Sequence, residues 1–215
     1  MVNPYSSIGV IGDVHCEHES LAVAISTLTA RGVETIICTG DLPTGRGDIN
    51  RCCDLLQSSQ IRTVRGNHDR WQIDLPLITL PYATHPSQVN QKSWRFLESL
   101  PVTIELPTPS GLALLCHGLG PQDMQSVLPE QSDREVEENP FLQDLVDLDR
   151  YRWIINGHSH HRMVRQWRSL TIINAGTLRR DHDPCFAAID FARGLVTFWD
   201  VLNLTAVELS AELAI

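Results

Sequence analysis

Short apolar runs recur along this chain, and several of them end next to a glycine. In the first third of the sequence they lie at residues 8–11, 33–39 and 61–64. Residues 20–30 and 49–56 separate these runs and carry apolar side chains at helical spacing, with Asp48 placed to cap the second helix. The alternation of strand and helix predicts a parallel sheet with right-handed crossovers.

After Pro101 the pattern changes to short extended runs without long helices between most of them. These runs lie at residues 102–106, 112–116, 153–156, 163–167, 170–174, 187–190 and 195–199. Residues 192–194 read Ala-Arg-Gly and are expected to form the hairpin turn between the last two. We therefore expect an α/β fold in which two mixed sheets pack face to face and are flanked by helices.

Two stretches are less regular. Residues 71–91 contain Pro76, Pro81 and Pro86, which favours an extended loop. Residues 119–138 are rich in acidic side chains and are expected to form either a flap over the functional site or a solvated acidic loop. Asn139 followed by Pro140 then has the form of a helix cap and first turn.

Composition limits the possible function. At 215 residues the chain is long enough for one well-buried domain, so we treat residues 1–215 as a single domain. The net charge of −9 argues against a protein that binds nucleic-acid duplexes. No apolar run reaches membrane-spanning length and the start lacks a signal-peptide pattern, so we expect a cytoplasmic protein with no membrane partner. The six cysteines show no disulfide framework, which agrees with a reducing compartment.

Five clusters of potential metal ligands follow the apolar runs, each beside a glycine. In chain order they are Asp13-x-His15, Gly40-Asp41, Gly66-Asn67-His68-Asp69, His117-Gly118 and Gly157-His158-Ser159-His160. Residues i and i+2 of an extended chain point the same way, so a pair such as Asp13 and His15 can serve one ion. Ligands of open α/β sheets lie where strands run out into loops, so the clusters are expected to meet. Oxygen and imidazole donors together suit two divalent ions among Mn, Fe, Zn, Co and Ni.

The five clusters resemble the sequence blocks of the calcineurin-like metallophosphoesterases, including small prokaryotic phosphodiesterases and dinucleoside-tetraphosphatase-like members. This resemblance implies a four-layer αββα sandwich. It also implies that one ion is held by Asp13, His15 and His160, and the other by Asn67, His117 and His158, with Asp41 shared by both. His68 would be the catalytic histidine near the leaving group, and Asp69 would orient it.

Physical chemistry supports the same reaction class. Two divalent ions about 3.5–4 Å apart can share a carboxylate, lower the pKa of a bridging water and clamp a phosphoryl group for in-line attack. A histidine such as His68 can protonate the departing group. Arg46 and Arg180 are candidates for gripping phosphate oxygens of the substrate.

We therefore expect a hydrolase that acts on small phosphodiesters or nucleotides. Two alternatives stay open at this stage: a monoesterase similar to serine/threonine protein phosphatases, and a non-catalytic binding scaffold similar to the retromer subunit of the superfamily. The sequence leaves the identity of the metal, the physiological substrate and the oligomeric state open.

Overall fold

Two β-sheets form the centre of the fold in the computed structural model, which describes residues 3–74 and 79–215. The strands are β1 (Ser7–Ile11), β2 (Thr35–Cys38), β3 (Arg62–Thr63), β4 (Thr103–Thr108), β5 (Gly111–Cys116), β6 (Tyr151–Asn156), β7 (Met163–Trp167), β8 (Leu170–Asn174), β9 (Cys185–Asp190), β10 (Leu195–Leu202) and β11 (Ala206–Ala214). The helices are α1 (His18–Ala30), α2 (Ile49–Ser58), α3 (Asn67–Asp74), α4 (Gln91–Ser99), α5 (Asp133–Glu137) and α6 (Pro140–Asp147), with a short 3₁₀ helix at Pro86–Gln88.

Both sheets are mixed, as the sequence predicted. The first has the order β11-β10-β9-β1-β2-β3, and the second has the order β4-β5-β6-β8-β7. Strands β1, β2 and β3 are parallel, and so are β5, β6 and β8. The antiparallel pairs are β1 with β9, β9 with β10 and β10 with β11 in the first sheet, and β4 with β5 and β7 with β8 in the second. The expected hairpin at residues 192–194 is confirmed, because β9 and β10 pair antiparallel directly across it.

Alternation along the central strands explains why the layers stack. In β6, Trp153 and Ile155 pack between the two sheets, whereas Ile154 faces the outer side of the second sheet. In β1, Ile8 and Val10 face the inter-sheet core and Ile11 faces α1 and α2. Successive side chains of a strand point to opposite faces, so each central strand contributes to two hydrophobic layers. The result is the expected αββα sandwich.

Two helix caps that the sequence predicted are present. The Asp48 carboxylate accepts hydrogen bonds from the backbone N–H groups of Asn50 and Arg51, at 2.8 and 3.2 Å. Asn139 caps α6 in the same way, and Pro140 occupies its first turn. Such side-chain caps contribute about 1 kcal/mol each because they satisfy otherwise unpaired donors.

The expectation of an extended loop at residues 71–91 is wrong towards both ends of that stretch, whereas residues 79–85 lie in neither a helix nor a strand. Helix α3 continues to Asp74, and the 3₁₀ helix begins at Pro86, where a proline fits the first turn. Helix α4 follows directly, with the Asn90 side chain accepting a hydrogen bond from the Ser93 N–H at 2.8 Å. Pro76 belongs to residues 75–78, which lie outside the described residues.

Residues 119–138 pack on the outer face of the second sheet. Leu119, Val127 and Val136 are buried there, although the acidic side chains of α5 remain exposed. Asp123 forms a two-point ion pair with Arg70 of α3, at 2.6 and 3.0 Å. The segment is therefore attached both to the sheet and to the helix that begins with Asn67. Its predicted role as a flap stays a prediction.

No helix among the described residues combines the length and the apolar character needed to cross a membrane. All six cysteines are free and buried.

Candidate metal centre

The five ligand clusters meet where the parallel strands of the two sheets end. Asp13 follows β1 and Asp41 follows β2, while Asn67 begins the helix after β3. In the second sheet His117 follows β5 directly, and the Gly157 to His160 cluster follows β6. Because both sets of strands end at the same side of the sandwich, ligands far apart in sequence are brought together.

The first group of ligands lies around His15. Side-chain ligand atoms of Asp13, His15, Asp41 and His160 all lie within 4.8 Å of one another. The Nε2 atoms of His15 and His160 are only 3.0 Å apart, and His160 Nε2 lies 3.2 Å from Asp13 Oδ2. Carboxylate and imidazole donors that converge on one point have the arrangement of a divalent-metal site.

The second group lies around Asn67. Its Oδ1 atom is 2.9 Å from His117 Nε2 and 3.0 Å from His158 Nδ1. Asp41 lies between the two groups, since its Oδ2 atom is 3.4 Å from His117 Nε2 and 3.9 Å from His15 Nε2. The structure thus brings together all seven residues that the sequence predicted as metal ligands.

Hydrogen bonds on the far side of the rings direct the ligand atoms inward. His117 Nδ1–H donates to the Thr39 carbonyl at 2.8 Å, and His15 Nδ1–H donates to the Thr44 carbonyl at 3.0 Å. With the proton on Nδ1, the neutral His15 ring keeps a lone pair on Nε2. His117 Nε2 lies 2.9 Å from Asn67 Oδ1, which can only accept, so this nitrogen would have to release a proton before it could bind a metal. Asp13 is fixed similarly, because its Oδ1 accepts the Thr39 hydroxyl at 2.9 Å. Outer contacts of this kind orient metal ligands.

The charges of the group call for a cation. Burial lowers the pKa of His15 to about 4 although Asp41 and Asp13 oppose the shift, so the ring is neutral and able to ligate. Burial also acts to lower the pKa of His117, but the carboxylates of Asp41 and Asp13 outweigh it and raise that pKa to about 10. A protonated His117 offsets only one of the two buried carboxylates, and a divalent ion in place of that proton would supply the remaining charge. The donor set therefore fits the ions that the sequence predicted.

Backbone conformation is unusual at four of the seven residues predicted as ligands. His15, Asp41, His158 and His160 have φ values of 45°, 51°, 65° and 62°, which lie in the left-handed region. Non-glycine residues there are uncommon and such strain is typical of functional sites. Gly157 is restricted for a different reason, which is crowding: a Cβ atom at this position would lie 2.1 Å from Asp13 Oδ1. The loops are shaped to bring ligand atoms close together.

Contrary to expectation, the Asp69 carboxylate makes its hydrogen bonds to other groups than the His68 ring. Its carboxylate accepts the backbone N–H groups of Asp41, Leu42 and Gly66 at 2.8, 2.9 and 2.7 Å. Neighbouring residues at the start of a helix point about 100° apart, which directs Asp69 inward to the Asp41 loop. The expectation that Asp69 orients the His68 ring is therefore wrong: it holds the loop that carries Asp41.

His68 lies beside the ligand group with one free ring nitrogen. Its Nε2 atom is 4.0 Å from Asp41 Oδ2, and its backbone N–H donates to Asp41 Oδ1 at 2.8 Å. Within the described part of the chain, His68 Nδ1 is buried and has no hydrogen-bond partner. The ring packs edge-on against Trp71, with 4.9 Å between the centroids.

The two candidate substrate arginines are both engaged with other side chains. Arg180 grips the buried carboxylate of Glu17, with Nε–Oε1 at 2.8 Å and Nη2–Oε2 at 2.6 Å. Arg46 lies over the ring of Tyr82, 4.2 Å from its centroid, and pairs with Asp181 at 3.5 Å. Arg46 and Tyr82 also line a cavity of about 530 Å³ beside Cys16, the residue after His15.

Sequence reasoning missed three residues that support the ligands. Thr39 holds both Asp13 and His117, and Glu17 anchors Arg180. His182 lies outside the five clusters, yet its Nδ1 atom is 3.3 Å from His160 Nδ1. No spacing in the sequence links His182 to His160. Of the three supporting residues, only Glu17 could have been suspected from the sequence, because it lies two residues after His15.

Comparison with known proteins assigns the family. The model of the calcineurin-like phosphoesterase superfamily domain matches residues 7–194. The chain therefore belongs to the calcineurin-like phosphoesterase superfamily, whose general activity is metal-dependent hydrolysis of phosphate esters.

Individual relatives are distant. An uncharacterized protein of Methanocaldococcus jannaschii is 24% identical over 186 residues, which cover 83% of this chain and 72% of the relative. The crystal structure of hypothetical protein PH1004 from Pyrococcus horikoshii is similar with a TM-score of 0.73, at 15% identity and covering 91% of this chain and 87% of the other.

Two further solved structures share the fold. A metallophosphoesterase from Sphaerobacter thermophilus has a TM-score of 0.69 at 20% identity, covering 93% of this chain and 89% of that one. A Vps29 protein from Entamoeba histolytica has a TM-score of 0.58 at 17% identity, covering 97% and 99%. At these identities the similarity concerns the fold.

Proposed function

We propose that this protein is a two-metal phosphoesterase that hydrolyses small phosphodiesters or nucleotides. The observation that carries the proposal is the position of Asp41 Oδ2, 3.4 Å from His117 in one ligand group and 3.9 Å from His15 in the other. A carboxylate between two groups of histidines is suited to bridge two ions. We assign Asp13, His15 and His160 to one ion and Asn67, His117 and His158 to the other.

Each protein group has a separate task in this proposal. When bound, divalent ions would supply an activated water and positive charge for the phosphoryl group. Asp69 keeps the Asp41 loop in place through three backbone hydrogen bonds. His68, whose Nε2 atom faces Asp41, protonates the departing oxygen as a general acid through that nitrogen.

The preference for a small substrate rests on the surroundings of the ligand groups. The cavity of about 530 Å³ has Cys16, the residue after His15, in its described lining but none of the seven proposed ligands, and it is of the size that takes a small molecule. Arg46 is placed at its wall and can leave Asp181, an exposed partner, to bind a phosphate oxygen. Arg180 is already paired with a buried carboxylate, so we assign it a supporting task and give substrate contact to Arg46.

The cysteines support a proposal about the cellular setting. Six free, buried thiols support a reducing compartment, and we place the protein in the cytoplasm.

The decisive experiment is hydrolysis of bis-p-nitrophenyl phosphate and p-nitrophenyl phosphate by metal-stripped protein reloaded with Mn, Ni, Co, Zn or Mg. We expect turnover to return with metal and to be faster on the diester. His117→Ala, purified in parallel, controls for contaminating phosphatases because it removes one ligand of the second group. Metal binding without turnover on either ester would contradict the proposal.

Two competing functions have their own outcomes. A non-catalytic scaffold needs no complete ligand set, whereas this chain has all seven proposed ligands. Protein that binds no metal at adequate supply would favour the scaffold. Faster turnover on phosphopeptides than on nucleotides would favour a protein phosphatase.

A further inference from the structure

The segment after β8 runs alongside the segment that carries Asp13 and His15. Leu178 N–H and the Thr177 hydroxyl both donate to the Asp13 carbonyl, each at 2.8 Å. Beyond this point, three consecutive side chains contact residues at or near the proposed metal ligands. They are Arg180 on Glu17, Asp181 on Arg46 and His182 on His160.

The contact between His182 and His160 joins the two Nδ1 atoms. They are 3.3 Å apart, and the ring centroids are 4.7 Å apart with an interplanar angle of 74°. The other nitrogen of His160, Nε2, faces the ligand group, 3.2 Å from Asp13 Oδ2. His160 therefore has its ligand nitrogen on one side and His182 on the other.

A histidine can bind a cation through Nε2 only if that atom carries no proton, so the proton of the neutral ring must be on Nδ1. This proton needs an acceptor. His15 and His117 give theirs to the carbonyls of Thr44 and Thr39. Among the residues that the structure describes, the hydrogen-bond partner of His160 Nδ1 is His182.

We propose that His182 is a positioning residue for the metal centre. Its imidazole accepts the Nδ1–H of His160 and so fixes the tautomer and the ring orientation in which Nε2 binds a divalent ion. The inference rests on the proposed function only in requiring that His160 binds metal; it does not depend on which ester is hydrolysed.

The Arg180–Glu17 pair explains how an exposed histidine on a loop is held in place. The Glu17 side chain is 2% exposed, and both of its oxygens accept from Arg180. A two-point ion pair of this geometry restricts the backbone on either side of the arginine. Because His182 is two residues away, the pair sets where its ring can lie.

The test compares three single variants by calorimetric titration of metal-stripped protein with Mn²⁺. His182→Ala removes the acceptor, and we expect affinity for one of the ions to fall by about 10- to 100-fold. His182→Asn places an amide Oδ1 close to the position of Nδ1, so affinity should return to within a few-fold of wild type. His161→Ala removes another exposed imidazole next to His160 and should leave affinity unchanged.

A second readout reports on the ligand directly. Co²⁺ bound by imidazole and carboxylate absorbs visible light, and the band should change shape in His182→Ala and return in His182→Asn. Thermal unfolding of the metal-stripped proteins should be equal, since the His182 side chain is exposed. Equal curves would show that any loss of affinity is not a loss of folding.

Unchanged Mn²⁺ affinity in His182→Ala would overturn the inference, as would equal loss in the Ala and Asn variants. Wild-type protein that binds no divalent ion would overturn both this inference and the proposed function. Wild-type protein that binds Mn²⁺ but hydrolyses neither ester, with His182→Ala binding more weakly, would support the role of His182 and contradict only the proposed function.

Discussion

The carboxylate of Asp69 accepts the backbone N–H of Asp41 at 2.8 Å, which ties the start of α3 to the loop after β2. The same carboxylate also accepts the N–H groups of Leu42 and Gly66. A helix residue therefore fixes the backbone of the residue that lies between the two ligand groups. Correct placement of the Asp41 side chain therefore depends on a side chain whose hydrogen bonds go to backbone N–H groups.

The first prediction concerns this link. In Asp69→Asn, one acceptor oxygen becomes an NH₂ donor that faces a backbone N–H, so at least one buried donor loses its partner. We expect unfolding free energy to fall by roughly 1–3 kcal/mol, with weaker binding of both ions. Urea denaturation of metal-stripped protein measures the first effect and Mn²⁺ titration the second.

Asp74→Asn is the control for Asp69→Asn, because it makes the same change at an exposed position of α3. It should leave stability and metal binding within error of wild type. Loss of equal size in both variants would mean that net charge on α3, and not the link to Asp41, is responsible.

The second prediction tests why Gly157 has no side chain. In Gly157→Ala the new Cβ would lie 2.1 Å from Asp13 Oδ1 and 2.4 Å from Thr39 Oγ1. Asp13 must move, so we expect a loss of at least ten-fold in metal affinity, measured by titration with Mn²⁺.

Gly32→Ala separates crowding from backbone strain. Gly32 has φ of +72° and no neighbouring atom within 4 Å of an added Cβ, so alanine there is strained without touching the centre. It should cost about 1 kcal/mol of stability and leave metal affinity unchanged. If Gly157→Ala behaves in the same way as Gly32→Ala, the crowding argument is wrong.

The third prediction distinguishes a general acid from a ligand. His68→Ala should keep Mn²⁺ binding, because the seven proposed ligands remain. Turnover should fall by about 10²–10⁴-fold on esters with an alkoxide leaving group. p-Nitrophenyl esters should lose much less, because nitrophenolate departs without a proton. Loss that is equal for both leaving groups would assign His68 to another task.

The fourth prediction concerns stability and bound metal. Chelation leaves the buried carboxylates of Asp13 and Asp41 with less compensating charge, so metal-stripped protein should unfold at lower temperature. Adding Mn²⁺ at about 100 times its Kd should restore about 2.7 kcal/mol for each independent site. A melting temperature that does not change when Mn²⁺ is added would indicate that the native protein does not bind this ion.

The fifth prediction concerns the thiols. Burial raises the pKa of Cys16, Cys53 and Cys116 to about 12 each. At pH 8 these groups lie far below their pKa values and stay protonated, so the nucleophilic thiolate is nearly absent. Ellman's reagent should react slowly with native protein and with six thiols after unfolding in guanidinium. Rapid reaction of one native thiol would show that its burial is transient.

The convergence of the seven proposed ligands could be predicted from the sequence because each follows a buried strand and carries a distinctive side chain. Asp48 and Asn139 were predictable for a similar reason, since capping depends on a few adjacent residues. These features depend on residues that are close together in the chain, so they can be recognised in the sequence.

Features that depend on distant packing could not be predicted. Strand β11 (Ala206–Ala214) has mostly exposed side chains, so its sequence lacks the apolar run that marks a strand. Helix α4 buries only Ser93 and Leu97 completely, so its sequence shows no clear row of apolar side chains at helical spacing. The true partner of Asp69 and the approach of His182 to His160 depend on how segments far apart in sequence meet.

His15 and His160 are 145 residues apart in the chain, yet their ring nitrogens are 3.0 Å apart. One follows a strand of the first sheet and the other a strand of the second, so neither ligand group is complete until both sheets have formed and docked. Contacts between such distant residues form slowly because a long loop must close first. During refolding, the capacity to bind a cation should therefore appear after helical structure has recovered. The time course of metal binding would then report when the two sheets dock.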